Sequence, residues 1–526
     1  MVLGDPTLPP LPEDVVLGWT TAAPYDDEAL SAAQPVTPLG DDGVAHRLVV
    51  LGDSLSHGFK SLAIHDTELS WPVMVAEAMG LDNEEFRRPS YPGPADCPGL
   101  PLNVEALLRQ LEAHAGTSAP LLGRHSPELA AVTVQLLREV KRYWEHGDGS
   151  HDDPTAPPIH NLSIYGWDVR DALTRTREDC HDVLKPGSLL HQLIPHLPSP
   201  LTSHDGERAA LRVLTASAGE DSSTVGAAER LAKDGIGTLI VELGANNILQ
   251  TVVKMQLTWT PQGYEKLTPA QRMRAKASAT AYRPTHFASD YQELVDRVTA
   301  MKARRVVLTT VPHVTVAPLL HGVGTKPTGS RYFARYSRVF VPEAEFDANR
   351  DECLSGEACR QIDSAIDSYN AFIVDKVTQA RSNGLDWHVF DMCGLLDRLA
   401  YRRYYEEPSA RPAEFPDVYQ LPEALTNLSP WPDTRFFGSD RHGRFQGGLI
   451  ALDGVHPTTI GYGIVAQEVL VLLDRIGVSL KSKQIDWDAV LASDTMIQAP
   501  PRTLSTDLGL LGGLYTTFES LRDLAR

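Results

Sequence analysis

Five short, almost uninterrupted apolar runs constrain the fold of this chain more than any other feature of its sequence. The runs cover residues 46–52, 161–166, 237–244, 304–312 and 386–392. Runs of this kind are typical of strands that are buried on both faces of a parallel sheet. Amphipathic segments lie between the runs. Because strands that alternate with helices build layered folds, the sequence predicts a doubly wound α/β sheet.

Three of the amphipathic segments carry the signals of a complete helix. We expect these helices within residues 70–80, 289–303 and 458–477. The second segment begins with Ser289 and Gln292, which have the spacing of a capping box. Helices that are long enough to cover a sheet are therefore predicted between the strands.

The composition excludes some classes of partner. The 526 residues carry a formal net charge of -20, and the acidic residues are scattered along the chain. Nucleic-acid binding usually needs a basic stripe, and docking on anionic lipid needs basic clusters, so we expect neither partner. No apolar stretch approaches the roughly 20 residues of a membrane span. The first residues lack a basic and apolar leader, so we expect a cytoplasmic location.

We also expect no metal and no cofactor. The five cysteines include no zinc-type pair, and free thiols are expected in the cytosol, although Cys353 and Cys359 could close a small loop. Residues 145–154 collect two histidines and three aspartates, but their spacing matches no helix-borne ligand motif. We interpret that segment as a solvated loop.

The first apolar run ends in "GDSLSHG", residues 52–58. Gly-Asp-Ser is ordinary turn chemistry, and Ser54 could serve only as the N-cap of a helix. The alternative is a nucleophile, because open α/β sheets place their binding crevice at the carboxyl ends of the strands.

Other polar residues follow the later runs. Gly166 and Asn246 come just after two of them, where a backbone N–H and a side-chain amide could bind an oxyanion. Asp453 and His456 lie three residues apart before a predicted helix, and a histidine held by a carboxylate can activate a serine. Each of these residues could also belong to a plain turn.

Taken together, the segments "GDSLSHG", "NLSIYG", "GANN" and "DGVHPT" resemble, in order, the first, second, third and fifth blocks of the SGNH hydrolases, also called GDSL esterases and lipases. The resemblance spans roughly residues 46–473. It implies a flavodoxin-like three-layer α/β/α sandwich with about five parallel strands and large insertions. It therefore favours one catalytic domain over the three or four that the length alone suggests.

The resemblance also implies a role for each matching residue. Ser54 is expected to be the nucleophile, His456 the general base and Asp453 its partner. The backbone N–H groups of Ser54 and Gly166, with the Asn246 amide, are expected to form the oxyanion hole. The third block of the family usually reads Gly-x-Asn-Asp, whereas Asn247 replaces the Asp here, which puts the supporting contacts in question.

These roles predict a serine hydrolase that cleaves a small-molecule or lipid carboxylic ester through an acyl-enzyme. An acyltransferase or thioesterase could use the same triad, because another acceptor can capture the acyl group. A third possibility is a binding protein that has a hydrolase fold without the activity.

We expect three parts along the chain: an N-terminal arm over 1–43, the hydrolase domain over 44–477, and a helical docked tail over 478–526. The domain should contain insertions at about 60–160 and 248–285. The second insertion follows Asn246, so it could pack on the flank of the sheet. Alternatively, it could form a cap in which Trp259 lines the acyl pocket.

Overall fold

A five-stranded parallel sheet lies at the centre of the protein. The computed structural model describes residues 8–18, 24–37, 40, 43–115, 127–185, 204–327, 330–401, 418–504 and 511–513. The strands of the sheet are β1 (His46–Gly52), β2 (Asn161–Ser163), β3 (Ile236–Glu242), β4 (Arg305–Thr309) and β5 (Trp387–Phe390). Their spatial order is β5-β4-β3-β1-β2, and every neighbouring pair is parallel. This is the order of a flavodoxin-like, doubly wound sheet.

The five apolar runs of the sequence correspond to these five strands, so the predicted fold class is confirmed. The second run is the least extended: β2 ends at Ser163, and Tyr165 and Gly166 already form a turn. Every residue of β3 is buried. Helices therefore cover both faces of the sheet, as its apolar composition predicts.

Seven helices matter most for the sheet and the site. They are α1 (Ser54–His57), α2 (Trp71–Ala78), α3 (Thr224–Leu231), α4 (Pro284–Met301), α5 (Gly356–Ser382), α6 (Met392–Leu399) and α7 (Thr459–Arg475). Val49 and Leu51 of β1 face one apolar cluster, which also contains residues of α3, α4 and α5. Leu48 and Val50 face a second cluster with residues of α2, α6 and α7. The alternation along β1 thus separates two helical layers.

Shorter elements fill the long connections. In the part of the chain that the structure describes, the other α-helices include Asp27–Ala33, Val104–Ala115, Pro127–His146, Val169–Thr174, Arg177–Leu184, Asp205–Val213, Gln250–Val253, Pro269–Lys276, Glu423–Thr426, Trp487–Ser493 and Thr495–Gln498. Three small antiparallel sheets pair Ala63–Ile64 with Leu100–Pro101, Leu320–Val323 with Arg335–Arg338 and Leu354–Ser355, and Gly438–Asp440 with Gly443–Gln446.

The predicted start of α4 is wrong by about one turn and a half. The helix begins at Pro284, and Ser289 lies inside it without acting as a cap. Proline is favoured in the first turn of a helix because its fixed φ suits the helix and its missing N–H needs no partner there. Phe287 is fully buried in the larger apolar cluster, so packing also draws this turn into the helix.

The described parts of the arm and of the tail contact the domain. In the arm, the Tyr25 N–H donates to Asp391, and the buried Asp27 accepts the Val389 N–H at the edge strand β5. In the tail, Asp494 accepts the Ile460 N–H at the start of α7. Most of the apolar segment predicted as a docked helix, residues 508–526, lies outside the described residues.

None of the helices in the described part of the chain is both long enough and apolar enough to cross a membrane.

Candidate active site

Ser54, His456 and Asp453 form a continuous chain of hydrogen bonds at the carboxyl end of β1. The Ser54 Oγ lies 2.9 Å from His456 Nε2, and His456 Nδ1 lies 3.0 Å from Asp453 Oδ2. All three residues are buried, and Ser54 retains 5% of its surface. If the Asp453 carboxylate accepts the Nδ1 proton, Nε2 is free to accept the proton of the Ser54 hydroxyl.

The sequence around Ser54 explains why the turn has this shape. The Asp53 side chain caps α1 by accepting the Leu55 N–H, and Gly58 ends the helix with a φ of 90°. A Cβ at Gly52 would lie 1.8 Å from the Ser56 Oγ, so no other residue fits there without displacing that side chain. The glycines of the motif therefore hold Ser54 at the end of a core strand.

Asp453 is held as a carboxylate by its surroundings. Its Oδ1 accepts the N–H groups of Val455 and His456, each at 2.9 Å, and its Oδ2 also accepts the Leu62 N–H at 3.3 Å. Burial alone raises the pKa of Asp453, but the charge of His456 and these hydrogen bonds outweigh burial and lower the pKa below its ordinary value. The Phe59 ring packs on His456 with the ring centroids 4.8 Å apart. The hydrogen bond to Asp453 and the contact with the Phe59 ring thus hold the imidazole in place.

The candidate oxyanion donors follow three neighbouring strands. In the sheet, Gly52 pairs with Ser163 of β2 and with Glu242 of β3, so the chain segments that leave the three strands meet at one edge. The backbone N–H groups of Ser54 and Gly166 donate to no protein group in the part of the chain that the structure describes. They remain available to an oxygen of a bound molecule.

Two side-chain contacts hold the loops that carry these donors. The Asn246 amide donates one hydrogen to the Trp167 carbonyl at 3.0 Å, next to Gly166. His57 Nδ1 accepts the Tyr165 N–H at 3.1 Å on the other side of Gly166. Burial lowers the pKa of His57 to about 3, which keeps the imidazole neutral and able to accept. Sequence reasoning missed His57, although it lies only three residues after Ser54.

The replacement of the usual Asp by Asn247 leaves a supporting contact intact. Asn247 is buried, and its Oδ1 accepts the Val169 N–H at 3.3 Å, a bond that either residue type can make. The Asn247 Nδ2 finds no hydrogen-bond partner among the described residues. The change therefore costs one unpaired buried donor and leaves Asn246 in place.

Asn246→Ala is expected to lower kcat for an ester about a hundredfold while KM changes little, because an oxyanion donor binds charge that forms mainly in the transition state. The measurement is steady-state kinetics on a short chromogenic ester, with Asn247→Asp as the matched control that keeps the Val169 contact. A rise in KM at constant kcat would instead assign Asn246 to ground-state binding.

An apolar cavity of about 70 Å³ opens beside Ser54 and His456. Its wall comes from the loop after β4, from α6 and from the segment before Asp453. The leucine, isoleucine and valine side chains of the wall are Leu55, Leu249, Val314, Val316, Leu396, Ile450 and Val455. The cavity can therefore take a hydrocarbon group bonded to an atom that Ser54 attacks. Apart from Ser54 and His456, the residues of this wall were not predicted; the one sequence signal for them is that residues 312–318 follow an apolar strand.

Trp259 does not line this cavity. It is 8% exposed, belongs to the larger apolar cluster and pairs through its backbone with Ala281. A short helix of the second insertion spans Pro269–Lys276, and its Lys276 forms ion pairs with Asp168 and Asp171. Of the two alternatives for this insertion, the described contacts match packing on the flank.

The segment 145–154 does not assemble a cluster of metal ligands. Its Asp152 pairs with Arg177 and His181 instead. Cys353 and Cys359 are not joined by a disulfide bond.

The group that could hold a metal among the described residues is His313, Cys393 and Asp397, all buried. His313 already contacts carboxylates through both ring nitrogens: Asp397 at 2.8 Å and Asp367 at 3.1 Å. Burial lowers the pKa of His313, but these charges dominate and raise it well above the ordinary value. Ion pairs between the protonated His313 imidazole and these two carboxylates account for the cluster.

Comparison with known proteins adds no family assignment. No family model matches the chain, and no curated protein matches it.

Proposed function

We propose that this protein is a serine ester hydrolase of the SGNH type, which cleaves a carboxylic ester through an acyl-enzyme on Ser54. The observation that carries the proposal is the hydrogen-bonded chain from Ser54 through His456 to Asp453, beside an apolar cavity. A serine, a histidine and a carboxylate in this order are the arrangement that makes a hydroxyl nucleophilic.

The proposed reaction uses each of these groups in turn. His456 Nε2 takes the hydroxyl proton while the Ser54 Oγ attacks the ester carbonyl, and Asp453 stabilises the imidazolium. The N–H groups of Ser54 and Gly166 and the Asn246 amide receive the oxyanion of the tetrahedral intermediate. His456 then protonates the leaving alcohol, and water repeats the sequence to release the acid and regenerate Ser54.

The cavity supports an apolar acyl group as the part of the substrate that is recognised. Its wall includes Leu249, which lies three residues after Asn246 in the chain, and Val316, which lies in the loop after β4. Burial of each additional methylene is worth about 0.8 kcal/mol, so esters with longer acyl chains should react better until the cavity is filled.

The same residues also suit acyl transfer or thioester hydrolysis, so an acyltransferase or a thioesterase is the second candidate. Both reactions pass through the acyl-enzyme, and they differ in the group that is attacked or that captures the acyl chain. Adding a primary alcohol to the ester assay distinguishes transfer from hydrolysis, because transfer yields a new ester whereas hydrolysis yields the free acid.

A fluorophosphonate probe tests the proposal directly. Such probes react with serines that are activated by a neighbouring base, so wild-type protein should be labelled once, at Ser54 by peptide mapping. The same preparation should hydrolyse members of a panel of chromogenic esters that differ in acyl length. A folded protein that is neither labelled nor active on the panel would favour a binding protein instead.

Val316→Phe is expected to shift the preferred acyl chain to a shorter length, because the larger ring occupies part of the cavity. Each methylene that no longer fits should cost about fourfold in kcat/KM, the equivalent of ~0.8 kcal/mol. The control is Val471→Phe, the same substitution at a position that is 51% exposed on α7. An unchanged chain-length profile in Val316→Phe would place the acyl group elsewhere.

A further inference from the structure

Two acidic residues that the proposed triad does not use lie together beneath Ser54. Asp53 precedes Ser54 and is fully buried, and Glu242, the last residue of β3, is 2% exposed. The strand register brings them together: Gly52 pairs with Glu242, and the Asp53 N–H donates to the Glu242 carbonyl at 3.1 Å. Two ionised carboxylates at such a buried position would repel each other strongly.

One buried oxygen of this pair accepts no hydrogen bond from the described residues. Asp53 Oδ1 accepts the Leu55 N–H at 3.1 Å, and Glu242 Oε2 accepts the Ser56 hydroxyl at 2.8 Å. Asp53 Oδ2 accepts no hydrogen bond of normal length from the described residues, although it is completely buried. A proton on Glu242 removes the repulsion and supplies the missing donor, since the two carboxyl groups are within hydrogen-bonding reach.

We propose that Glu242 carries a proton at neutral pH and donates it to the Asp53 carboxylate, so that the pair is a positioning device for Ser54 and Asn246. This inference rests on the proposed function. Neither residue touches the reacting atoms. Through the cap on α1 the pair fixes the turn that holds Ser54.

The ionisation of the two groups agrees with this assignment. Burial, followed by the charge of Asp53, raises the pKa of Glu242 well above its ordinary value. Burial raises the pKa of Asp53 to about 6, and the Leu55 N–H, the charge of His456, Glu242 and the Asn246 amide limit the rise. At neutral pH one proton therefore remains on the pair, and one negative charge faces His456 and Asn246.

Besides His456, two tyrosines are titratable groups that interact with the pair. Tyr291 interacts with Glu242, and Tyr462 interacts with both acids. Burial comes first among the causes that raise the pKa of each tyrosine, and the carboxyl charges raise it further. Both tyrosines are therefore neutral at neutral pH and do not compete for the proton.

Infrared spectroscopy of the full-length protein tests the protonation state without relying on activity. The expected result is a carbonyl band of a protonated carboxylic acid at pH 7 that disappears in Glu242→Gln. Glu28→Gln, at a position whose side chain is 77% exposed, should leave the band unchanged. Absence of such a band in the folded wild-type protein, or its persistence in Glu242→Gln, would overturn the assignment.

Kinetics on a chromogenic ester tests the positioning role. Glu242→Ala removes the donor to Asp53 and should lower kcat roughly tenfold with little change in KM, because Ser54 and Asn246 are then less well oriented. Glu242→Gln keeps a neutral donor and an acceptor for Ser56, so it should recover most of that loss. Equal damage in the two variants would overturn the role. A wild-type protein without esterase activity would overturn the proposed function and the positioning role with it, while the infrared band would still decide where the proton lies.

Discussion

Ser54→Ala is expected to abolish nearly all hydrolysis of a preferred ester, with a fall in kcat of about a thousandfold or more. The Ser54 hydroxyl makes its hydrogen bond to His456, and the side chain contributes little to the apolar core. The variant should therefore unfold at nearly the wild-type temperature. The activity that remains reflects binding and the oxyanion donors alone.

The measurement is kcat on the best ester of the panel, together with fluorophosphonate labelling and a thermal unfolding curve. Ser278→Ala, at an exposed position in the second insertion, is the matched control and should behave like the wild type. Substantial turnover by folded Ser54→Ala protein would assign the nucleophile to another residue.

His456→Ala should lower kcat by a similar factor, about a thousandfold, since it removes the group that accepts the Ser54 proton. Asp453→Asn should be equally or less damaging, because it disturbs the orientation of the imidazole and leaves the base present. Both variants retain Ser54, so labelling by the fluorophosphonate should slow in parallel with the loss of turnover.

The dependence of the wild-type rate on pH tests whether a histidine is the general base. The rate should rise with pH, because a general base must be neutral before it can accept the Ser54 proton. The pKa of Asp453 is held below its ordinary value, so its carboxylate is already ionised near neutral pH and causes no further change of the rate with pH. A rate that stays flat while chemistry is limiting would contradict a histidine base.

The fold could be predicted from the sequence because its strands are marked locally. Each strand of a covered parallel sheet is apolar on both faces, so the five runs were visible without knowledge of their partners. The start of α4 could not be found in this way. Ser289 and Gln292 have the spacing of a cap, but Pro284 and the burial of Phe287 outweigh that local signal.

Some contacts of the candidate site likewise follow from the local sequence, whereas others depend on tertiary packing. Asp453 and His456 are three residues apart, so their hydrogen bond is nearly a property of the local turn. Ser54 lies 402 positions from His456, and their contact depends on the packing of β1 against the segment before α7. Trp259 shows the limit of local reasoning, because the position of a side chain after Asn246 does not reveal which surface it packs on.

The chemical groups at the carboxyl ends of the strands could be recognised from the sequence alone. Parallel strands bring those ends to one edge, so a serine, a glycine, an asparagine and an Asp-x-x-His pair were expected to meet there. The wall of the cavity, the neutral His57 behind Gly166 and the pairing of Asp53 with Glu242 became visible only in three dimensions. These depend on strand register and on the packing of segments far apart in the chain, and no local pattern of residues encodes either.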